Sequence, residues 1–151
     1  MAGLEETRRL AALCEEHGLE GREILSRHTE AELASSYNGI GPESFPGWLR
    51  NLLDRLHPSL APVAFIHDVE WSDSDGTREG FAASNARFKA NGYRIARRTF
   101  PWWSIRRWLV MNDARRFGNL CQAFGWAAWR APYEARAGAA GTRASGGEGA
   151  S

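Results

Sequence analysis

The sequence predicts an all-α domain. Almost no segment of the 151-residue chain alternates apolar and polar residues in the way of a half-buried strand. Apolar residues instead recur three and four positions apart, and Gly, Pro and capping residues separate the segments that carry this spacing. With 43% hydrophobic and 25% charged residues, the composition is that of an ordinary soluble protein, and the length suits one domain.

Seven helical segments are predicted, most of them bounded by a capping residue, a glycine or a proline. They span residues 4–17, 21–26, 29–37, 48–56, 58–71, 77–91 and 99–129. Thr29 and Glu32 form a capping-box pattern at one start, and Gly18 and Gly92 are expected to end two of the helices. Residues 37–42 (YNGIGP) predict a loop, and residues 72–76 (SDSDG) predict a tight turn.

Composition divides the chain into a folded unit, residues 1–130, and a tail, residues 131–151. The tail is rich in Gly, Ala and Ser and is expected to be disordered. Residues 1–85 carry a net charge of −8, whereas residues 86–130 carry +9. The two parts either pair on folding or leave a basic surface for phosphate, on lipid or on nucleic acid.

Several features limit where the protein functions. No run of 18 apolar residues occurs, which argues against a spanning helix, and the acidic N-terminus lacks the apolar core of a signal peptide. The two cysteines, Cys14 and Cys121, cannot form a disulfide scaffold and favour a reducing compartment. We expect a cytoplasmic or virion-associated protein.

Tryptophan and arginine residues are interleaved in the last predicted helix. The residues concerned are Trp102, Trp103, Trp108, Trp126 and Trp129, with Arg106, Arg107, Arg115, Arg116 and Arg130. The favoured interpretation is an aromatic core with arginine on the outer face. A membrane surface is the next interpretation, and nucleic acid is the least favoured partner.

Two polar residues interrupt apolar helix faces. His67 lies between Val63 and Trp71 at spacings of four, and Asn85 lies between Phe81 and Phe88. Each is nine residues from Gly76, so an antiparallel helix hairpin that turns at Gly76 brings them level. Because a buried polar group without a partner costs roughly 1–3 kcal/mol, we expect them to share a hydrogen bond.

A histidine with one ring N–H held by a side-chain acceptor presents its other nitrogen as a base. Asp68 projects about 100° round the helix from His67, so it can face a neighbouring loop, where a carboxylate suits a hard cation. The alternative is a core histidine beside a solvent-facing aspartate, with no chemical role.

Three segments together resemble the phospholipase A2 superfamily, in particular its compact, disulfide-free viral and phage-type branch. Residues 37–42 resemble the glycine-bearing calcium loop, and residues 67–71 (HDVEW) resemble the His-Asp-x-x-Tyr signature. Residues 85–88 (NARF) resemble the Asp-x-x-Phe segment, whose acid orients the catalytic histidine. The match covers about a third of the chain, and Asn85 departs from it by replacing the acid.

The resemblance implies a phospholipase A2-like helical domain and a calcium-dependent ester hydrolase encoded by a phage or prophage. It implies that His67 is the base that activates water, oriented by Asn85. Asp68 and the carbonyls of Gly39, Ile40 and Gly41 would bind Ca²⁺, with phospholipid or a membrane surface as partner.

Two alternatives stay open at the level of the sequence. One is a non-catalytic structural or virion-assembly protein of the same fold, with other virion proteins as partners. The other is an unrelated helical module that binds a membrane or nucleic acid.

Overall fold

The computed structural model describes residues 3–37, 47, 48, 51 and 55–145, and throughout these ranges the regular elements are helical, with no strand. The all-α prediction is therefore confirmed. The elements are α1 (Leu4–Glu16), a 3-10 turn (Arg22–Arg27), α2 (Glu30–Ser36), a second 3-10 turn (Pro58–Leu60), α3 (Ala61–Ser72), α4 (Arg78–Thr99), α5 (Ile105–Phe124) and α6 (Trp126–Ser145).

Helix α3 lies at the centre of the domain. Ten of its twelve residues are buried, where a surface helix would bury only one stripe. It contacts α1, the first 3-10 turn, α2, α4 and α6. Three of its buried residues, His67, Asp68 and Glu70, are polar, so the protein holds titratable groups in its interior.

Helices α4 and α5 form an antiparallel hairpin with the most extensive helix–helix contact of the fold. The expectation that α4 ends at Gly92 is wrong, since the helix continues to Thr99. Gly92 lies where α4 crosses α5, and a Cβ atom there would overlap the side chain of Ala114. The glycine therefore permits a close helix approach rather than a turn.

The expected helix over residues 99–129 is also divided differently. Its first part is the connection between α4 and α5, and Gly125 separates α5 from α6. The Gly125 N–H donates to the Cys121 carbonyl at 2.7 Å, and a Cβ at Gly125 would lie 2.5 Å from the Trp71 ring. The glycine at the junction of α5 and α6 thus permits a close approach to Trp71 of α3, a contact between helices that local sequence signals do not reveal.

The expectation of a disordered tail from residue 131 differs from the structure, in which α6 continues to Ser145. The helix is anchored at its first half: the Tyr133 ring packs over Gly76, and Arg136 donates to the Ser72 carbonyl at 2.7 Å and to the Ser74 carbonyl. Alanine, the best helix former, supports the remainder.

Other predictions from local signals at helix ends and turns agree with the structure. The Thr29–Glu32 capping box is present, Gly18 follows α1 with a φ of 59°, and Gly76 turns the chain with a φ of 70°. Residues 38–42 of the predicted loop over 37–42, and most of the predicted helix at 48–56, lie outside the described residues.

Candidate functional site

His67 and Asn85 face each other across α3 and α4. Nε2 of His67 lies 3.1 Å from Oδ1 of Asn85, and both side chains are buried. The predicted hydrogen bond is therefore confirmed. Because an amide oxygen only accepts, Nε2 carries the ring proton and donates it. Nδ1 of His67 has no hydrogen-bond partner among the described residues, so its lone pair is free.

Gln122 of α5 fixes the orientation of Asn85, and sequence reasoning missed it. The Asn85 amide donates through Nδ2 to Oε1 of Gln122 at 3.0 Å, which leaves Oδ1 directed at His67. Gln122 is exposed and interrupts no apolar stripe, so only the register of α4 against α5 reveals it. The chain of hydrogen bonds runs from the buried imidazole to the surface.

Aromatic rings surround His67. Ring centroids lie 4.8 Å away at Trp71, 5.1 Å at Phe88 and 5.6 Å at Phe117. Burial among these apolar rings lowers the pKa of His67 to about 4. The hydrogen bond to Asn85 raises this pKa, but by less than burial lowers it. The imidazole is therefore neutral at pH 7, the form in which it can accept a proton.

Asp68 is buried as well, with 2% of its surface exposed, so it is not a solvent-facing residue. Its Oδ1 atom has no hydrogen-bond partner in the described part of the chain, and desolvation raises the pKa of the carboxyl to about 8. Burial is the largest cause that raises the pKa of Tyr37 and of Cys121, and the negative charge of Asp68 is the second. Asp68 therefore lies near Tyr37, where the predicted calcium loop begins.

Of the predicted calcium ligands, the structure describes only Asp68. Gly39, Ile40 and Gly41 lie outside the described residues. Among the residues that are described, no group of three or more His, Cys, Asp or Glu side chains could hold a metal ion. The orphaned Asp68 oxygen fits a cation ligand, because a buried carboxylate without a partner is satisfied by a bound cation.

A cleft of about 480 Å³ is lined in part by Glu70 of α3. Ser84 donates to Oε2 of Glu70 at 2.7 Å, and Arg87 donates through Nε to Oε1 at 2.5 Å. Burial raises the pKa of Glu70, and these two contacts oppose the rise. The residues that line this cleft do not include His67, Asp68 or Asn85.

The tryptophans of the basic segment divide into two groups. Trp129 is buried and Trp126 is partly buried, as an aromatic core requires. Trp102, Trp103 and Trp108 are 83%, 73% and 60% exposed, so the core interpretation is wrong for them. In the ranges that the structure describes, no helix is both long and apolar enough to cross a bilayer.

Comparisons with family models, with curated proteins and with solved structures gave no match to this chain. The resemblance to phospholipase A2 thus depends on the three short segments and on the geometry of the residues that they carry.

Proposed function

We propose that the protein is a calcium-dependent, phospholipase A2-like ester hydrolase in which His67 is the base. One observation carries the proposal. The Asn85 oxygen holds the Nε2–H of His67, which leaves Nδ1 free, and the next residue, Asp68, also has a buried oxygen without a partner. Two neighbouring unsatisfied groups in a well-packed interior cost stability, which is typical of a functional site.

The residues then have distinct roles. Nδ1 of His67 would take a proton from the water that attacks the ester of a phospholipid. Asn85 would hold the ring in the required tautomer, although its amide cannot offset the charge of an imidazolium as a carboxylate does. Asp68 and the carbonyls of Gly39, Ile40 and Gly41 would hold Ca²⁺, which when bound supplies a Lewis acid for the ester carbonyl.

The test is the release of fatty acid from phospholipid, measured with Ca²⁺ and with a chelator. The proposal expects release that requires Ca²⁺ and is lost in His67→Gln. His57→Gln is the matched control, since His57 is a second histidine, whose ring accepts from the Ser59 N–H at the start of the 3-10 turn before α3. Equal release by wild type and His67→Gln would overturn the proposal.

A second candidate is a non-catalytic structural or virion-assembly protein of the same fold. The enclosure of His67 by aromatic rings, with 2% of its surface exposed, favours it, as does the amide at position 85. A folded wild type without hydrolysis on any phospholipid, with or without Ca²⁺, would support this second candidate.

A further inference from the structure

The connection between α4 and α5 carries an exposed apolar cluster. We call this surface the hairpin tip; its apolar residues are Trp102, Trp103, Ile105, Trp108 and Leu109, which are 83%, 73%, 67%, 60% and 43% exposed. Ile105, Trp108 and Leu109 recur at helical spacing on the outer face of α5, and the two other tryptophans precede them in the turn. Five large apolar side chains grouped in this way mark an interaction surface.

Arginines accompany the cluster. Arg97 lies in the last turn of α4, and Arg106 and Arg107 lie in the first turn of α5. None of the three takes part in an ion pair within the described residues. From residue 86 to residue 130 the sequence has a single acidic residue, Asp113, which accepts a hydrogen bond from the His57 backbone. The hairpin tip is therefore both apolar and positively charged.

We propose that the hairpin tip docks on the surface of an anionic lipid bilayer. Tryptophan rings lie at the depth of the lipid headgroups, and aliphatic side chains insert at the boundary between headgroups and acyl chains. Arginines bind lipid phosphates. Nucleic acid fits less well because Ile105 and Leu109 offer no ring on which a base stacks. A second copy fits less well because two tips would bring like charges together.

The inference does not rest on the proposed hydrolase. Asn85 and Thr99, the last residue of α4, are separated by about 21 Å along the helix, so the hairpin tip is distinct from the environment of His67. Binding can thus be measured with a chelator present, under conditions in which hydrolysis does not occur, and failure of one proposal leaves the other standing.

The experiment is co-sedimentation of the full chain with vesicles, either of phosphatidylcholine alone or of phosphatidylcholine mixed with phosphatidylglycerol. We expect binding to the mixed vesicles that weakens as salt is added. Trp102→Ser/Trp103→Ser is expected to lower the partition coefficient at least about tenfold. Phe124→Ser, which removes an exposed aromatic ring at the other end of α5, is the matched control and is expected to bind as wild type does.

A second pair of variants tests the charge. Arg106→Gln/Arg107→Gln is expected to weaken binding to the mixed vesicles at least about tenfold, because each arginine at an anionic surface contributes on the order of 1 kcal/mol. Arg115→Gln/Arg116→Gln removes the same charge from the exposed middle of α5 and is expected to have a small effect.

Three results would overturn the proposal. They are no binding of wild type to mixed vesicles, equal losses in tip and control variants, and tip-dependent binding of a single-stranded oligonucleotide or of a second copy without vesicle binding.

Discussion

Replacing Asp68 by Asn is expected to raise the free energy of unfolding more at pH 7 than at pH 5. The carboxyl is buried without a partner for Oδ1, and its pKa rises from an ordinary 3.8 to about 8. At pH 7 the Asp68 carboxyl is ionised in the unfolded chain but stays protonated in the folded protein. This difference favours the unfolded chain and costs the wild type about 4 kcal/mol of stability. At pH 5 the same cost is only about 2 kcal/mol.

The sign of the pH dependence follows from proton binding. Between pH 4 and pH 8 the folded protein holds the Asp68 proton more tightly than the unfolded chain does, so this contribution to stability is lost as the pH rises. His67 contributes the opposite slope, because its folded pKa of about 4 lies below the ordinary 6.5. That contribution is common to wild type and variant and cancels in their difference.

The assay is urea unfolding of wild type and Asp68→Asn at pH 5 and pH 7, with a chelator present. The variant's advantage is expected to grow by about 2–3 kcal/mol between the two pH values, whatever fixed cost the buried amide adds. Glu79→Gln, which removes an exposed carboxylate of α4, controls for net charge. An advantage that does not change with pH would refute the reasoning.

Two further variants test the orienting residue and the helix crossing. Asn85→Asp is expected to raise turnover at least about tenfold, because in the Ser-His-Asp triad the reverse exchange costs about 10⁴. Desolvation of the new carboxylate is expected to lower the melting temperature. A fall in turnover would show that Asn85 does not orient His67. Gly92→Ala is expected to cost about 1–3 kcal/mol by overlap with Ala114, whereas Gly138→Ala, in open space on α6, is expected to stabilise by about 0.5–1 kcal/mol. Thermal melting measures both, and equal effects would refute the close approach.

The parts of the fold that sequence reasoning predicted well depend on neighbours in the chain. The capping box at Thr29 and the left-handed Gly18 and Gly76 each satisfy backbone groups within a few residues, so local rules suffice. Gly92 and Gly125 have the same local signature, but their reason is a close approach to another helix. A local rule cannot distinguish these two uses of glycine.

The site shows the same division. The pairing of His67 with Asn85 was predictable because equal spacing from Gly76 fixes the register of the α3–α4 hairpin. Gln122 belongs to a second hairpin, whose register the early helix end expected at Gly92 obscured. The burial of Asp68 was also missed, because the sequence does not reveal that α3 is packed on all sides. Such a helix has no solvent face for a carboxylate.

The central claim is that His67 is a neutral base with its proton on Nε2 and its lone pair on Nδ1. Nitrogen-15 NMR of the imidazole distinguishes this tautomer from the other tautomer and from the imidazolium. The Nε2–H tautomer is expected at pH 7 and is expected to persist down to about pH 5, because burial lowers the pKa of His67 to about 4. A ring protonated on Nδ1, or an imidazolium that forms near pH 6.5, would contradict it.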